Sequence, residues 1–146
     1  MDDRDTELGQ TLVETVFVLV LLLILILGIA EFARAWYVKN SLNNAARFGA
    51  RVGAVTSGLV SETNTLCSSP VSNVAKAVCP PQSPGVPAAA KVTVVCTDPS
   101  NVVKNCTTAA TGDTVTVTVS TDFSTFKILP LFSVTTLSSQ ASMRYE

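Results

Sequence analysis

Between Glu14 and Glu31 the chain reads TVFVLVLLLILILGIA, without one charged side chain. With Leu12 and Val13 the segment reaches about twenty residues, the length an α-helix needs to cross a bilayer core. It is apolar on every side rather than along one stripe, which suits a helix facing lipid or buried in a bundle. A cleaved secretory signal is the competing reading. Such a signal has a basic start, a shorter apolar core and a small-residue cleavage site. Here the preceding MDDRDTELG is acidic. The segment is therefore read as a retained transmembrane helix over residues 10–30.

Helical spacing continues past the apolar run. EFARAWYVKNSLNNAARFGARVGAV contains no proline, and Phe32, Trp36 and Tyr37 stand where an interfacial aromatic belt forms. Ala45, Gly49 and Gly53 recur every fourth residue, as do Ala46, Ala50 and Ala54. Two adjacent ridges of small residues allow another backbone or a sheet to approach closely. Glycine costs about 1 kcal/mol in an exposed helix, so a packing role explains these better than chance. The expectation is a stem over residues 31–55. A helix from Leu12 to Val55 would measure roughly 65 Å at about 1.5 Å per residue.

Composition excludes several functions. Ten basic and eleven acidic residues leave a net charge of -1, which does not suit a broad nucleic-acid surface. There is no histidine, which removes imidazole bases, Ser-His and Cys-His pairs and most zinc or haem ligand sets. Glu62, Asp98, Asp113 and Asp122 are scattered, and neither a phosphate-cradling loop nor a nucleophile elbow is present. A Ser-Lys dyad is compatible with the abundant serines. No catalytic residue, cofactor or metal site is assigned, and the chain is read as non-enzymatic.

From Thr56 onward Ser, Thr, Val and Pro dominate, and residues 56–146 are read as a separate extracytoplasmic α+β domain. Residues 56–70 read as a polar connection. Residues 70–78 suit a short helix with Val71, Val74, Ala75 and Val78 on one face. Residues 91–96 and 114–120 read as strands, the second placing Val115, Val117 and Val119 on one side. Residues 137–145 alternate again, with Leu137, Ser139, Ala141, Met143 and Tyr145 together. Between them Phe123, Phe126, Ile128, Leu129, Leu131 and Phe132 form an apolar connection, read as core in preference to a bilayer or partner contact. These strands make a small antiparallel sheet with one polar face, covered by the helix ridges or the short helix.

Cys67, Cys79, Cys96 and Cys106 all fall in this domain. Four cysteines allow three pairings, and the short gaps make Cys67–Cys79 and Cys96–Cys106 the simplest. Zinc ligation is disfavoured without a C-x-x-C pair or a histidine; four buried thiols are the other alternative. Paired cysteines imply an oxidising compartment. The positive-inside rule points the other way. Only Arg4 precedes the apolar run, whereas Arg34, Lys39, Arg47 and Arg51 follow it. The cysteines are given more weight, because the rule weakens for long translocated domains. Asn105-Cys106-Thr107 fits a glycosylation sequon and is given little weight.

Gly9-Gln10-Thr11-Leu12-Val13-Glu14 leads directly into the apolar run. This resembles the processing site of type IV prepilins. The resemblance implies cleavage between Gly9 and Gln10 by a prepilin peptidase, with residues 1–9 as leader. It also gives Glu14 a role in subunit assembly. The physical reading agrees: a carboxylate just inside an apolar helix is expensive unless paired, and the free amino terminus of a neighbouring subunit supplies a positive partner. The alternative is a Glu14 hydrated at headgroup level. The acidic leader departs from the basic leaders common in prepilins.

The longer run is similar to the TadE-like family of tight-adherence pilus assembly proteins. The shared features are Val13-Glu14 at the helix start, the GI-x-EF-x-R-A block over residues 28–35 and the AAR-x-GAR block over residues 45–51. VTVTVSTDF and LSSQASMRYE also resemble that family's closing strands, so the likeness extends over nearly all of the chain except the cysteine-bearing middle. Thr15 stands where the family usually has phenylalanine. The resemblance implies a type IV pilin-like α+β fold and a pseudopilin or minor-pilin role in the bacterial inner membrane. Its implied partners are other pilins or pseudopilins, the prepilin peptidase and the inner-membrane assembly platform. A polymerising filament subunit and a membrane-anchored binding module unrelated to filaments are the alternatives. Glu31 and Arg34 are spaced to pair on one helix face, a solvated pair of little energetic weight.

Overall fold

The computed structural model describes residues 3–124 and 135–146, with side chains from Thr11 onward. The first helix, α1, spans Asp3–Val55. The chain divides into two compact units, Met1–Arg34 and Ala35–Glu146.

The first unit is the apolar part of α1. Its large side chains are exposed all round, from Leu12 and Phe17 to Leu27 and Ile29. The helix is long and apolar enough to cross a membrane. Among the described residues of the unit nothing covers that surface, which suits a helix facing lipid or other helices. Arg34 Nη1 lies 3.9 Å from Glu31 Oε1, with the arginine half exposed. Such a contact contributes little.

The second unit is an antiparallel sheet packed against the rest of α1 and a second helix. β1 spans Glu62–Leu66, α2 Asn73–Val78, β2 Lys91–Thr97, β3 Val103–Lys104, β4 Thr114–Phe123 and β5 Thr135–Arg144. The order is β1-β2-β4-β5, and β3 shares the β1 edge of β2. β2 pairs with β4 from Lys91↔Ser120 to Thr97↔Thr114, and β4 with β5 from Thr114↔Arg144 to Phe123↔Thr135. Strict alternation sends Val115, Val117 and Val119 inward with Val92, Val94 and Cys96 of β2, all at most 1 % exposed. Thr93, Thr97, Thr114, Thr116 and Thr118 line the outer face.

Several boundaries differ from the sequence reading. The stretch 56–70 contains β1, whose run ETNTL has no apolar alternation; its pairing with β2, with a register shift between Glu62 and Thr65, holds it in the sheet. α2 begins only at Asn73, because Ser72 caps it by accepting the Ala75 N–H at 3.0 Å. Val71 consequently lies outside the helix, 74 % exposed, while Val74, Ala75 and Val78 are buried. Phe123 is half buried; Phe126, Ile128, Leu129, Leu131 and Phe132 lie outside the described residues.

Candidate assembly site

Gly9 and Gln10 fall within α1, and the side chain of Gln10 lies outside the described ones. Glu14 follows one turn later, exposed, with no hydrogen-bond or ion-pair partner among the described residues. Beside it the Thr15 hydroxyl donates to the Thr11 carbonyl at 2.8 Å, folding its polar group onto the helix backbone. Glu14 is thus an exposed carboxylate at the start of an apolar surface.

The small-residue ridges sit in the second unit and face the sheet. Ala45, Ala46 and Ala50 are at most 1 % exposed, and Ala54 is 5 % exposed. A Cβ added to Gly49 would meet Val78 Cγ2 closer than real carbon contacts come, with Val117 Cγ1 at 3.2 Å. One added to Gly53 would stand 2.9 Å from Val115 Cγ1. The glycines therefore let α1 lie directly on β4 and α2. Gly28 has nothing within 4 Å of such a Cβ, which marks it as a residue of the uncovered helix surface.

Two disulfides staple the edge of this core. Cys67 is bonded to Cys79, joining the end of β1 to the end of α2, and Cys96 to Cys106, joining β2 to the turn after β3. All four residues are buried, and no cysteine is free.

Other polar groups that pin the unit together were not visible in sequence. Lys39 Nζ donates to the Ser138 carbonyl, and Ser139 Oγ donates to Asn43 Oδ1, tying α1 to β5. The chain end is held by Tyr145 N–H donating to the Asp113 carbonyl at 2.7 Å and Tyr145 Oη–H donating to the Thr56 carbonyl at 3.0 Å. Asp113 is 3 % exposed. Its Oδ2 accepts the Ala110 N–H at 2.6 Å and lies 2.5 Å from Lys104 Nζ. The Ala110 N–H first, and then Lys104, hold its carboxyl below the ordinary 3.8, against the upward pull of burial. Glu62 is 7 % exposed; its Oε1 accepts the Ser72 N–H at 2.9 Å, while its Oε2 has no partner among the described residues. Among the described residues no group of three or more His, Cys, Asp or Glu is placed to hold a metal ion.

The family model described as TadE-like protein matches residues 9–51. The matched stretch opens at Gly9, takes in Glu14, the apolar run and the blocks at 28–35 and 45–51, and closes at Arg51. The closing strands lie outside it. No curated protein and no solved structure matches the chain. The resemblance to TadE-like proteins is borne out over residues 9–51, which suggests a Tad pilus-associated protein, and its long apolar helix fits a single-pass membrane anchor.

Proposed function

We propose that this chain is a non-enzymatic pseudopilin or minor pilin of TadE type, acting in assembly of a tight-adherence pilus. The observation that carries the reading is the TadE-like match over residues 9–51, which coincides with the uncovered apolar helix and its leading glutamate. In this reading residues 1–9 are a leader removed by a prepilin peptidase, and Gln10 becomes the amino terminus. Residues 10–30 anchor the protein in the bacterial inner membrane, and the sheet unit stands on the extracytoplasmic side. Two buried disulfides support that side, since they persist in oxidising compartments.

Glu14 is the assembly residue. At the bilayer edge its carboxylate is costly alone and is neutralised by the amino terminus of a neighbouring pilin or pseudopilin. The test is made in cells holding the native peptidase and assembly platform. Intact mass of the membrane-extracted protein should lack the first nine residues. Glu14→Ala should remain in the membrane fraction, keep both disulfides and cut surface pili by about tenfold or more. Normal piliation in that variant would remove the assembly role. An uncut chain would remove the processing step.

A further inference from the structure

We propose that the open edge of β5 takes an extended acidic segment of another polypeptide, its backbone adding a strand to the sheet and its carboxylates meeting Arg47 and Arg51. The inference goes beyond the anchored reading and stands on the sheet unit alone.

The two edges of the sheet differ. β1 has five residues, its register shifts between Glu62 and Thr65, and Asn64 sits at φ 54°. Short strands and register breaks are how an edge avoids further pairing. β5 carries no such break. Its ten residues pair with β4 without a shift from Thr135 to Arg144, and TTLSSQASMR holds neither proline nor glycine. Among the described residues no strand lies on its other side.

Backbone bonds show which groups face that side. Just past β5, the Tyr145 N–H donates to the Asp113 carbonyl, and the Tyr145 carbonyl accepts the Gly112 N–H, both on the β4 side. Successive residues of a strand turn their backbone groups in opposite directions, so the even-numbered residues face away from β4. α1 takes the two ends of that outward row. The Ser138 carbonyl accepts from Lys39 Nζ, and the Glu146 N–H donates to the Ala54 carbonyl at 3.2 Å. Between them Gln140, Ser142 and Arg144 are exposed, an open stretch roughly 13 Å long.

Arg47 and Arg51 stand over this stretch. Ser139 Oγ donates to Asn43 Oδ1 and Tyr145 Oη–H to the Thr56 carbonyl, so α1 between these points lies along residues 139–145. Lys39, Asn43, Arg47 and Arg51 form one four-residue ridge, whose first two members already touch β5. Both arginines are exposed, and among the described residues neither has an ion-pair or hydrogen-bond partner. They are about 6 Å apart along the helix, and alternate residues of a strand are about 6.8 Å apart. A strand laid beside β5 therefore sets two side chains, two residues apart, opposite the two guanidinium groups. Carboxylates there make charge-assisted hydrogen bonds. Met143, 38 % exposed on the inward face of β5, adds apolar contact. Backbone pairing selects an extended segment, as in recognition by strand addition, and the arginines select its charge. A second β5 is the wrong occupant, because it would bring Arg47, Arg51 and Arg144 of both copies to one seam.

The test uses the full chain in detergent micelles and a short fluorescent synthetic peptide alternating glutamate with threonine. Anisotropy should show binding that weakens as salt rises, and hydrogen exchange should slow at the Gln140 and Ser142 amides. Arg47→Glu with Arg51→Glu, at exposed positions, should weaken binding about tenfold or more, with the fold checked by retention of both disulfides. A fully N-methylated peptide keeps the charges, loses the strand hydrogen bonds and should bind at least about tenfold more weakly. Equal binding of the N-methylated peptide overturns the proposal, as does binding unchanged by the arginine substitutions. So does slowed exchange at β1 in place of β5, or a β5-to-β5 crosslink between two copies that the peptide does not displace. These readouts need neither a pilus nor a membrane, so the anchored reading stands or falls separately.

Discussion

Gly49→Ala sets two effects of similar size against each other. Alanine is favoured over glycine inside a helix by about 1 kcal/mol. The new methyl would fall against Val78 Cγ2 and 3.2 Å from Val117 Cγ1. Neither valine has room to yield: Val78 is fully buried next to the Cys67–Cys79 bridge, and Val117 lies in the strand flanked by β2 and β5. Overpacking costs about 1–3 kcal/mol, and two buried valines this close put the cost at about 2–3, so the net expectation is a loss of about 1–2 kcal/mol. For a unit of this size that lowers Tm by roughly 4–10 °C. The assay is thermal unfolding of the detergent-solubilised chain followed by near-ultraviolet circular dichroism. Gly28→Ala, with open space around it, should cause no such loss. Val78→Ala alone destabilises by leaving a cavity, but Gly49→Ala added to it should cost far less than in the native background. A rise in Tm for Gly49→Ala, or an equal drop in both backgrounds, would refute the claim that the glycines exist to admit the sheet.

Two further outcomes follow from the polar and covalent restraints. Replacing Cys96 and Cys106 by serine should cost about 2–4 kcal/mol in chemical denaturation, with Cys67–Cys79 still formed in a non-reducing peptide map. Folding lowers the Asp113 carboxyl below 3.8, so its stabilisation is present in full above that pH and drains away as pH falls through the lowered value. Tm should therefore fall on acidification below 3.8, whereas Asp113→Asn should be less stable at neutral pH and show a flatter acid limb.

The elements legible in sequence were those whose signal is periodic and local. An uncharged run of that length folds as a helix apolar on every side, and TVTVTVS alternates whatever surrounds it. The small residues of α1 were legible because glycine is costly in a helix unless a neighbour needs the space. β1 was not legible: ETNTL has one apolar residue, Leu66, and no apolar alternation, and its pairing with β2 holds it as a strand. Val71 differs for the opposite reason. Its spacing from Val74 and Val78 is helical, but Ser72 spends its side chain as a cap, and the helix begins after it. Periodicity measures what a residue would do within an element and carries no information about whether the element has yet begun.

The basic residues of α1 give the same lesson. Counted along the chain, Arg34, Lys39, Arg47 and Arg51 are four positive charges following the apolar run, and a charge count treats them alike. The fold separates them. Arg34 lies beside Glu31 and Lys39 is spent on a strand carbonyl, whereas Arg47 and Arg51 are left facing outward. That Lys39 meets β5 depends on a strand nearly a hundred positions away. Which charge the fold uses is therefore decided by partners remote in sequence, as Ser138 is from Lys39, and not by the order of charges along the helix.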